Sequence, residues 1–202
     1  MKKIFMVLLS ALMIFTLTAC GEVVEDKKSE PAKETSAAAP ESSKKTLVAY
    51  FSCTGTTKKL AESAAEILQA DLYEIKPETP YTETDLNWRD ETTRATVEQR
   101  DEKFRVPLAD KNAPVADYEN IIIAFPVWWG VAPRIIDTFV ETYDFSGKKI
   151  IPICTSGGSD IGTSADYLKQ IAKGNPTWLD GKCFFKNANK DEIKDYFKSL
   201  GL

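Results

Sequence analysis

The sequence predicts an α/β fold in which helices cover both faces of a parallel sheet. From Thr46 onward, short β-branched runs alternate with stretches whose apolar residues recur at helical spacing. Ile121–Phe125 is apolar throughout, which is typical of a central parallel strand buried on both faces. Regular alternation of strand and helix gives a parallel sheet between two helical layers. We therefore expect a doubly wound, three-layer α/β/α domain of five parallel strands.

The first strand–helix–strand unit occupies residues 46–75. Thr46–Ala49 is a short apolar run, and the helical pattern of Thr57–Ala70 places Leu60 and its apolar neighbours on one face. Lys58 and Lys59 lie on the opposite face, where they are either solvated or reach a bound phosphate. Asp71–Ile75 alternates in polarity and predicts a second strand near the edge of the sheet.

A long polar segment, residues 76–118, follows the second strand. It is too long for a simple connection, so we expect it to cover a site or to carry function. A helix is predicted over about residues 85–99. Its aromatic and arginine residues either pack and pair on the domain or line a ligand pocket: Tyr81, Trp88, Arg89, Arg94, Phe104 and Arg105.

The second half of the chain continues the alternation. Pro133 is predicted to be the first residue of a helix that buries Ile135, Ile136, Phe139 and Val140. The remaining predicted elements are a buried strand at Lys149–Cys154, a helix over about residues 162–172, a weaker strand at Trp178–Phe184 and a final helix at Asp191–Leu200. Ile193, Tyr196, Phe197 and Leu200 are the predicted inner face of that last helix.

Polar or aromatic loops follow three of the predicted strands. Ser52-Cys53-Thr54-Gly55-Thr56-Thr57 precedes a helix, where hydroxyls, backbone N–H groups and the helix dipole favour a phosphate. Trp128-Trp129 offers flat apolar surface, unless the pair simply packs in the core. Thr155-Ser156-Gly157-Gly158 offers donors to a polar ring edge, unless it is only a tight turn. Since ligands of open α/β sheets bind at the carboxyl ends of the strands, the three loops predict one site.

Composition excludes several classes of chemistry. The chain has no histidine, so Ser-His and Cys-His nucleophiles are excluded and a zinc or haem site is disfavoured. No Cys-x-x-Cys, Walker or Gly-x-Gly-x-x-Gly motif is present, which disfavours iron–sulfur, nucleoside triphosphate and dinucleotide binding. The formal charge of −4 argues against nucleic acid and fits a redox protein that docks on basic partners.

The first 45 residues predict export and a tether. Lys2 and Lys3 precede an apolar stretch that ends in Leu17-Thr18-Ala19-Cys20, which resembles a bacterial lipobox. We therefore interpret residues 1–19 as a lipoprotein signal peptide and Cys20 as the lipidated N-terminus, the alternative being an ordinary signal or anchor. Residues 20–45 are polar and proline-containing, and predict a disordered tether with a reach of roughly 25–30 Å. The protein is then extracytoplasmic and lipid-anchored to the bacterial membrane.

Residues 46–202 resemble the flavodoxin family, in a branch with an aromatic Pro-x-Trp-Trp-Gly loop. The resemblance rests on Ser52-x-Thr54-Gly55-x-Thr57, Pro126-x-Trp128-Trp129-Gly130 and Thr155–Gly158, with Thr56 where such loops often carry Asn. It implies the strand order 2-1-3-4-5 and non-covalent FMN. The implied FMN-binding residues are Ser52, Cys53, Thr54, Gly55, Thr56, Thr57, Pro126, Val127, Trp128, Trp129, Gly130, Thr155, Ser156, Gly157 and Gly158.

Three functional hypotheses follow. The first is an FMN electron carrier that serves an unidentified redox partner. The second is an FMN-dependent reductase of a small acceptor such as a quinone, for which residues 76–118 would cap the site. The third is a flavin-free surface lipoprotein that uses the fold as a binding module. A backbone carbonyl at Gly130 is a candidate hydrogen-bond acceptor for reduced FMN.

The cysteines are treated by default as small apolar core residues. Cys53 and Cys154 are predicted to end strands separated by a third strand, roughly 10 Å apart and too distant to bridge. Cys154 and Cys183 lie on predicted neighbouring strands of unknown register, which leaves a disulfide between them open.

Overall fold

The computed structural model describes residues 46–185 and 188–202. The predicted signal peptide, Cys20 and the tether lie outside the described residues. Within these described residues the structure has six strands: β1 (Thr46–Tyr50), β2 (Asp71–Glu74), β3 (Asn120–Pro126), β4 (Lys149–Ser156), β5 (Thr177–Trp178) and β6 (Lys182–Phe185). The same part of the chain contains five α-helices: α1 (Thr56–Leu68), α2 (Arg94–Arg100), α3 (Arg134–Thr142), α4 (Ser164–Ile171) and α5 (Lys190–Ser199).

The strands form one parallel sheet in the order β2-β1-β3-β4-β5. β6 is a sixth strand, which pairs with the later part of β4, after the part that pairs with β5. This confirms the predicted strand order. β3 lies at the centre, paired with β1 and β4, and every residue from Asn120 to Phe125 is buried. The apolar run that predicted a central strand is therefore explained by burial on both faces.

Two hydrophobic layers sandwich the sheet. On one face, Leu60 and Ala64 of α1 pack with Ile193 and Phe197 of α5. On the other face, α3 and α4 contribute Ile135, Phe139 and Leu168 to the larger core cluster. The predicted three-layer arrangement is thus observed, with the helices amphipathic as their sequence periodicity requires.

The predicted helix over residues 85–99 is wrong for residues 85–93 and is confirmed only for residues 94–99, which lie in α2. The structure has a 3-10 turn at Thr84–Leu86, irregular turns and then the short helix α2. The side chains of Asn87 and Asp90 accept hydrogen bonds from the backbone N–H groups of Arg89 and Thr92. Such local hydrogen bonds compete with the backbone hydrogen bonds of a helix. This competition explains why the segment before α2 is not helical although the sequence predicted a helix there.

The predicted single strand at Trp178–Phe184 is divided into β5 and β6. Ile150 of β4 is in register with Trp178, whereas Ile153 is in register with Lys182. The outer segment, which runs from β5 to β6, therefore has one residue more than the part of β4 that it follows. The carbonyl oxygens of Lys148 and Ile150 accept hydrogen bonds from backbone N–H groups of the outer segment. Since alternate residues of β4 face that segment, Pro152 is the next one to do so. Proline has no N–H to donate, so the ladder breaks at this point.

Smaller differences occur at helix ends. Pro133 is extended (φ −63°, ψ 147°) and precedes α3 rather than forming its first residue. Of the predicted inner face of the last helix, Ile193 and Phe197 are buried, while Tyr196 and Leu200, which directly follows α5, are only partly buried. Within residues 46–185 and 188–202, no helix combines the length and the apolar character that a bilayer span requires.

Candidate functional site

A cleft of about 550 Å³ opens at the carboxyl ends of β1, β3 and β4. Its volume lies in the range of small-molecule sites. The three predicted loops line it with Ser52, Cys53, Thr54, Thr56, Thr57, Pro126, Val127, Trp128, Trp129, Thr155, Ser156 and Gly157. Gly55, Gly130 and Gly158 do not line the cleft. None of the lining residues that the structure describes carries a charge, so an anion here would be held by neutral donors.

The first loop joins β1 to the N-terminus of α1. Gly55 precedes the helix with φ +83°, a conformation that suits glycine, and its N–H donates to the Ser52 hydroxyl oxygen at 3.1 Å. The first turn of α1 contains no acidic residue, so the positive end of the helix dipole is not neutralised by a side chain. Backbone N–H groups and threonine hydroxyls at this end form an arrangement suited to a phosphate.

A buried hydroxyl pair ties the first loop to the third. The Oγ1 atoms of Thr57 and Thr155 are 2.7 Å apart. Both side chains are buried and both residues line the cleft. The pair therefore fixes the distance between the two loops at the base of the site.

The second loop is a tight turn from Trp128 to Val131. The two residues exchange backbone hydrogen bonds of 2.9 and 3.2 Å, and both central residues, Trp129 and Gly130, have positive φ (+48° and +83°). Glycine adopts this conformation freely, whereas for a tryptophan it costs about 1 kcal/mol or more. The strain at Trp129 is held in place by the hydrogen-bonded turn.

The two tryptophans have different environments. Trp128 packs edge-on against Phe51 and Tyr81, with ring centroids 5.6 and 5.5 Å away. Trp129 is 47% exposed at the cleft. Core packing therefore describes chiefly Trp128, and lining of the cleft describes chiefly Trp129. Trp129 offers the more exposed aromatic surface.

The third loop is organised by its own side chains. The Ser156 hydroxyl oxygen accepts hydrogen bonds from the N–H groups of Gly158 and Ser159, and Asp160 accepts one from Gly162. Gly162 has φ +58°, and a Cβ atom there would lie 2.3 Å from the carbonyl oxygen of Gly130. The second and third loops are therefore in direct backbone contact.

Residues 76–118 also reach the cleft. Leu86, Trp88 and Ala95 complete its lining, and Trp88 is 64% exposed. Trp88 was among the sequence candidates, whereas Leu86 and Ala95 were not. Leu86 is the one apolar residue within the polar run 82–87, which is a weak signal, and Ala95 carries no chemical signal at all.

The other sequence candidates of this segment do not line the cleft. The Tyr81 hydroxyl donates to the Glu98 carboxylate, which also accepts from Arg94 Nε at 2.7 Å, and the Arg94 guanidinium lies 4.1 Å from the Tyr81 ring centroid. Arg105 forms a two-bond ion pair with Glu141 of α3. For these residues the interpretation as packed and paired side chains holds.

A buried polar cluster anchors the same segment to α3. Arg134 pairs with Asp137 at 3.1 Å and donates to the Gln99 carbonyl, while the Gln99 side chain donates to the Ala132 carbonyl. Burial raises the pKa of Asp137 to about 6, even though Arg134 and Arg105 lower it. These contacts hold α2 against the domain and thereby position Ala95 and Trp88 at the cleft.

Cys53 lines the cleft as a neutral thiol. Burial raises its pKa to about 12, and the opposing charges of Arg94 and Glu98 contribute less. A thiol of this kind is not a nucleophile near neutral pH. Cys53 therefore contributes surface to the site rather than reactivity.

A family model for flavodoxin matches residues 45–200. Among solved structures, a flavoprotein from Bacteroides uniformis ATCC 8492 is 44% identical, with a TM-score of 0.72 over 76% of this chain and 97% of that chain. A flavoprotein from Bacteroides eggerthii DSM 20697 is 39% identical, with a TM-score of 0.73 over 78% and 98%. A flavoprotein from Lactobacillus acidophilus NCFM, solved in complex with FMN, is 24% identical, with a TM-score of 0.51 over 74% and 98%, and shows the shared fold. No significant match is found among curated proteins.

Proposed function

Because the chain belongs to the flavodoxin family, we propose that its cleft binds FMN without a covalent bond and that the protein carries electrons. One observation carries the proposal: an uncharged cleft of about 550 Å³ joins the N-terminus of α1 to an exposed tryptophan. This arrangement fits a ligand with a phosphate at one end and a flat ring at the other. When bound, FMN supplies the capacity to take up and release electrons.

Each loop has a separate task in this proposal. The hydroxyls of Ser52, Thr54 and Thr56 and the N–H groups at the start of α1 bind the phosphate. Trp129 packs on the ring, with Pro126, Val127, Trp128 and the turn at Gly130 holding it in position. Thr155, Ser156 and Gly157 face the opposite ring edge. The proposal includes the family branch with the Pro-x-Trp-Trp-Gly loop, and its support is the sequence Pro126-Val127-Trp128-Trp129-Gly130.

Two ligands and two variants test the assignment. Titration of flavin-free protein, followed by quenching of flavin fluorescence, should give tighter binding for FMN than for riboflavin, which lacks the phosphate. Thr54→Val should weaken FMN alone, whereas Trp129→Ala should weaken both ligands about tenfold, or about 1.4 kcal/mol. Val97→Ala is the control, because Val97 is exposed and does not line the cleft.

The outcome against the proposal is a protein that takes up neither flavin. That result would favour the third hypothesis, a flavin-free binding module. Equal affinity for FMN and riboflavin would retain the ring site but remove the phosphate site from the first loop.

A reductase is the second candidate, favoured by the position of Leu86, Trp88 and Ala95 at the cleft. An apolar wall supplied by a long segment offers a surface for a flat acceptor such as a quinone. FMN-loaded protein should then oxidise NAD(P)H with a soluble quinone at a rate that Trp88→Ala lowers and that Val97→Ala, exposed and away from the cleft, does not. If no soluble quinone supports turnover, the reductase hypothesis is rejected and the electron-carrier hypothesis is retained.

We also propose that the protein acts outside the cytoplasm as a lipoprotein. The support is in the sequence: the basic start, the apolar stretch and the small residues before Cys20. Radiolabelled palmitate should be incorporated by the parent chain in bacterial cells and not by Cys20→Ser. Labelling of both chains, or of neither, would contradict lipidation at Cys20.

A further inference from the structure

Two of the cysteines lie directly opposite each other in the sheet. Cys154 of β4 and Cys183 of β6 are register partners on adjacent parallel strands. Neighbouring strands are about 4.8 Å apart, which is within the Cα separation of disulfides, about 4.4–6.8 Å. Both side chains belong to the same hydrophobic cluster, so the two sulfur atoms are on the same face of the sheet. The register that the sequence left open is thereby compatible with a bond.

The two thiols interact but have unequal surroundings. Cys154 is fully buried, whereas Cys183 is only partly buried. A hydrogen bond between the side chains lowers the pKa of Cys183 and, together with burial, raises the pKa of Cys154, while the charge of Asp160 opposes ionisation of both. The more accessible sulfur is therefore also the more easily ionised one, which is the combination that a reactive thiol requires.

We propose that Cys154 and Cys183 form a reversible dithiol–disulfide site, in which Cys183 attacks an external disulfide and Cys154 resolves the mixed disulfide. The oxidant is a small-molecule disulfide of the glutathione type. The Cys183 thiolate breaks the sulfur–sulfur bond of the oxidant, forms a mixed disulfide and releases one thiolate. The Cys154 sulfur then attacks the Cys183 sulfur and breaks the mixed disulfide, and the proton of Cys154 passes to the departing sulfur, which leaves as the second thiol. In total, two protein thiols are oxidised and one external disulfide is reduced to two thiols.

The bond would form next to the cleft. Thr155 follows Cys154 directly and pairs with Thr57 at the base of the site. β6 is held in the sheet through β4, since no other strand among the described residues pairs with it. A bond between Cys154 and Cys183 therefore fastens β6 to the strand that carries the third loop, whatever ligand the cleft binds.

Peptide mapping of the full-length protein tests the proposal. Native protein is incubated with oxidised glutathione, then denatured, alkylated and digested with trypsin. We expect peptide 150–169 linked to peptide 183–186, lighter by two hydrogens than the two separate peptides, while Cys53 is alkylated in full. Full alkylation of both Cys154 and Cys183, or a link from either of them to Cys53, would overturn the proposal.

Single variants test the order of attack. Cys154→Ala should retain glutathione on Cys183, because no second thiol resolves the mixed disulfide. Cys183→Ala should leave Cys154 unmodified, since that thiol is buried. Cys53→Ala is the control and should form the 154–183 link at the parental rate. Glutathione on Cys154 in Cys183→Ala at the rate seen for Cys183 would overturn the assignment.

A time course on the parent chain does not depend on whether the variants fold. Samples quenched with acid at early times should carry glutathione on peptide 183–186 before the linked peptides accumulate. Early glutathione on peptide 150–169 instead would contradict Cys183 as the attacking thiol.

Discussion

At the scale of single residues, the buried hydroxyl pair Thr57–Thr155 joins two loops of the cleft. Thr57→Val keeps the shape of the side chain but leaves the Thr155 hydroxyl buried without its partner. An unpaired buried hydroxyl costs about 1–3 kcal/mol, so urea unfolding of the flavin-free variant should show a loss of that size. Thr54→Val is the control, because the Thr54 side chain is exposed.

The double variant makes this prediction sharper. Replacing both Thr57 and Thr155 by valine removes both polar groups, which costs little when shape is preserved. The loss in the double variant should therefore be smaller than the sum of the two single losses. Additive losses would show that the two hydroxyls do not depend on each other.

Asp137 gives the protein a predictable pH dependence. Its side chain is fully buried, and its pKa in the folded state is about 6, above the ordinary value of 3.8. The folded protein thus holds the proton more tightly than the unfolded chain. This contribution to stability is complete below about pH 4 and is lost as the pH rises through 6, by at most about 3 kcal/mol.

The comparison variant for this prediction is Asp137→Asn, which remains neutral at every pH. The free energy of unfolding of the parent, measured relative to that of the variant, should fall between pH 4 and pH 6 and level off above pH 7. A parent that gains stability relative to Asp137→Asn over this interval would show that the attraction to Arg134 outweighs burial.

At the scale of elements, hydrophobic periodicity was a sufficient guide wherever a segment is buried. β3 lies within one residue and α1 within two residues of its predicted bounds, because apolar runs and helical spacing record burial directly. The irregular turns before α2 and the break at Pro152 were not predictable in this way. Both depend on single polar bonds or on one missing N–H group, which periodicity does not record.

The candidate site likewise has one part that the sequence pattern predicts and one part that it does not. The three loops were predictable because each follows a strand whose end lies at the same edge of the sheet. The contribution of Leu86 and Ala95 was not, because it depends on how the buried Arg134, Asp137 and Gln99 hold α2 in place. Those contacts join residues more than 30 positions apart, and no local pattern signals them.

The contact between the second and third loops yields a prediction about an element. Gly162→Ala would place a methyl group 2.3 Å from the Gly130 carbonyl oxygen, so the turn that carries Trp129 must shift. Overpacking of this kind costs about 1–3 kcal/mol. If the turn holds FMN, the affinity for FMN should fall about tenfold or more, measured by fluorescence titration.

Gly158→Ala is the matched control for this substitution. Gly158 lies in the same loop, but a Cβ atom there meets nothing within 4 Å, and the residue does not line the cleft. Its affinity for FMN should equal that of the parent. Equal affinities for both variants would mean that the turn at Trp129 does not contribute to binding.

At the scale of the whole molecule, the cleft and the overall charge have separate roles. The cleft itself is lined by neutral residues, whereas the chain carries a formal charge of −4. A ligand in the cleft is therefore selected by shape and neutral donors. A protein partner approaching from solution responds instead to the acidic field of the molecule, which acts over about 30 Å at 0.01 M salt and about 3 Å at 1 M.

Electron exchange with proteins should consequently depend on salt. Flavin-loaded, chemically reduced protein should reduce a basic haem protein fastest at low ionic strength, and the second-order rate measured by stopped flow should fall as salt is added. A neutral soluble quinone serves as the control, because its rate lacks this electrostatic steering and should remain nearly constant. A rate for the basic acceptor that is indifferent to salt would contradict the prediction. It would mean that exchange occurs through the uncharged rim of the cleft, without guidance from the net charge.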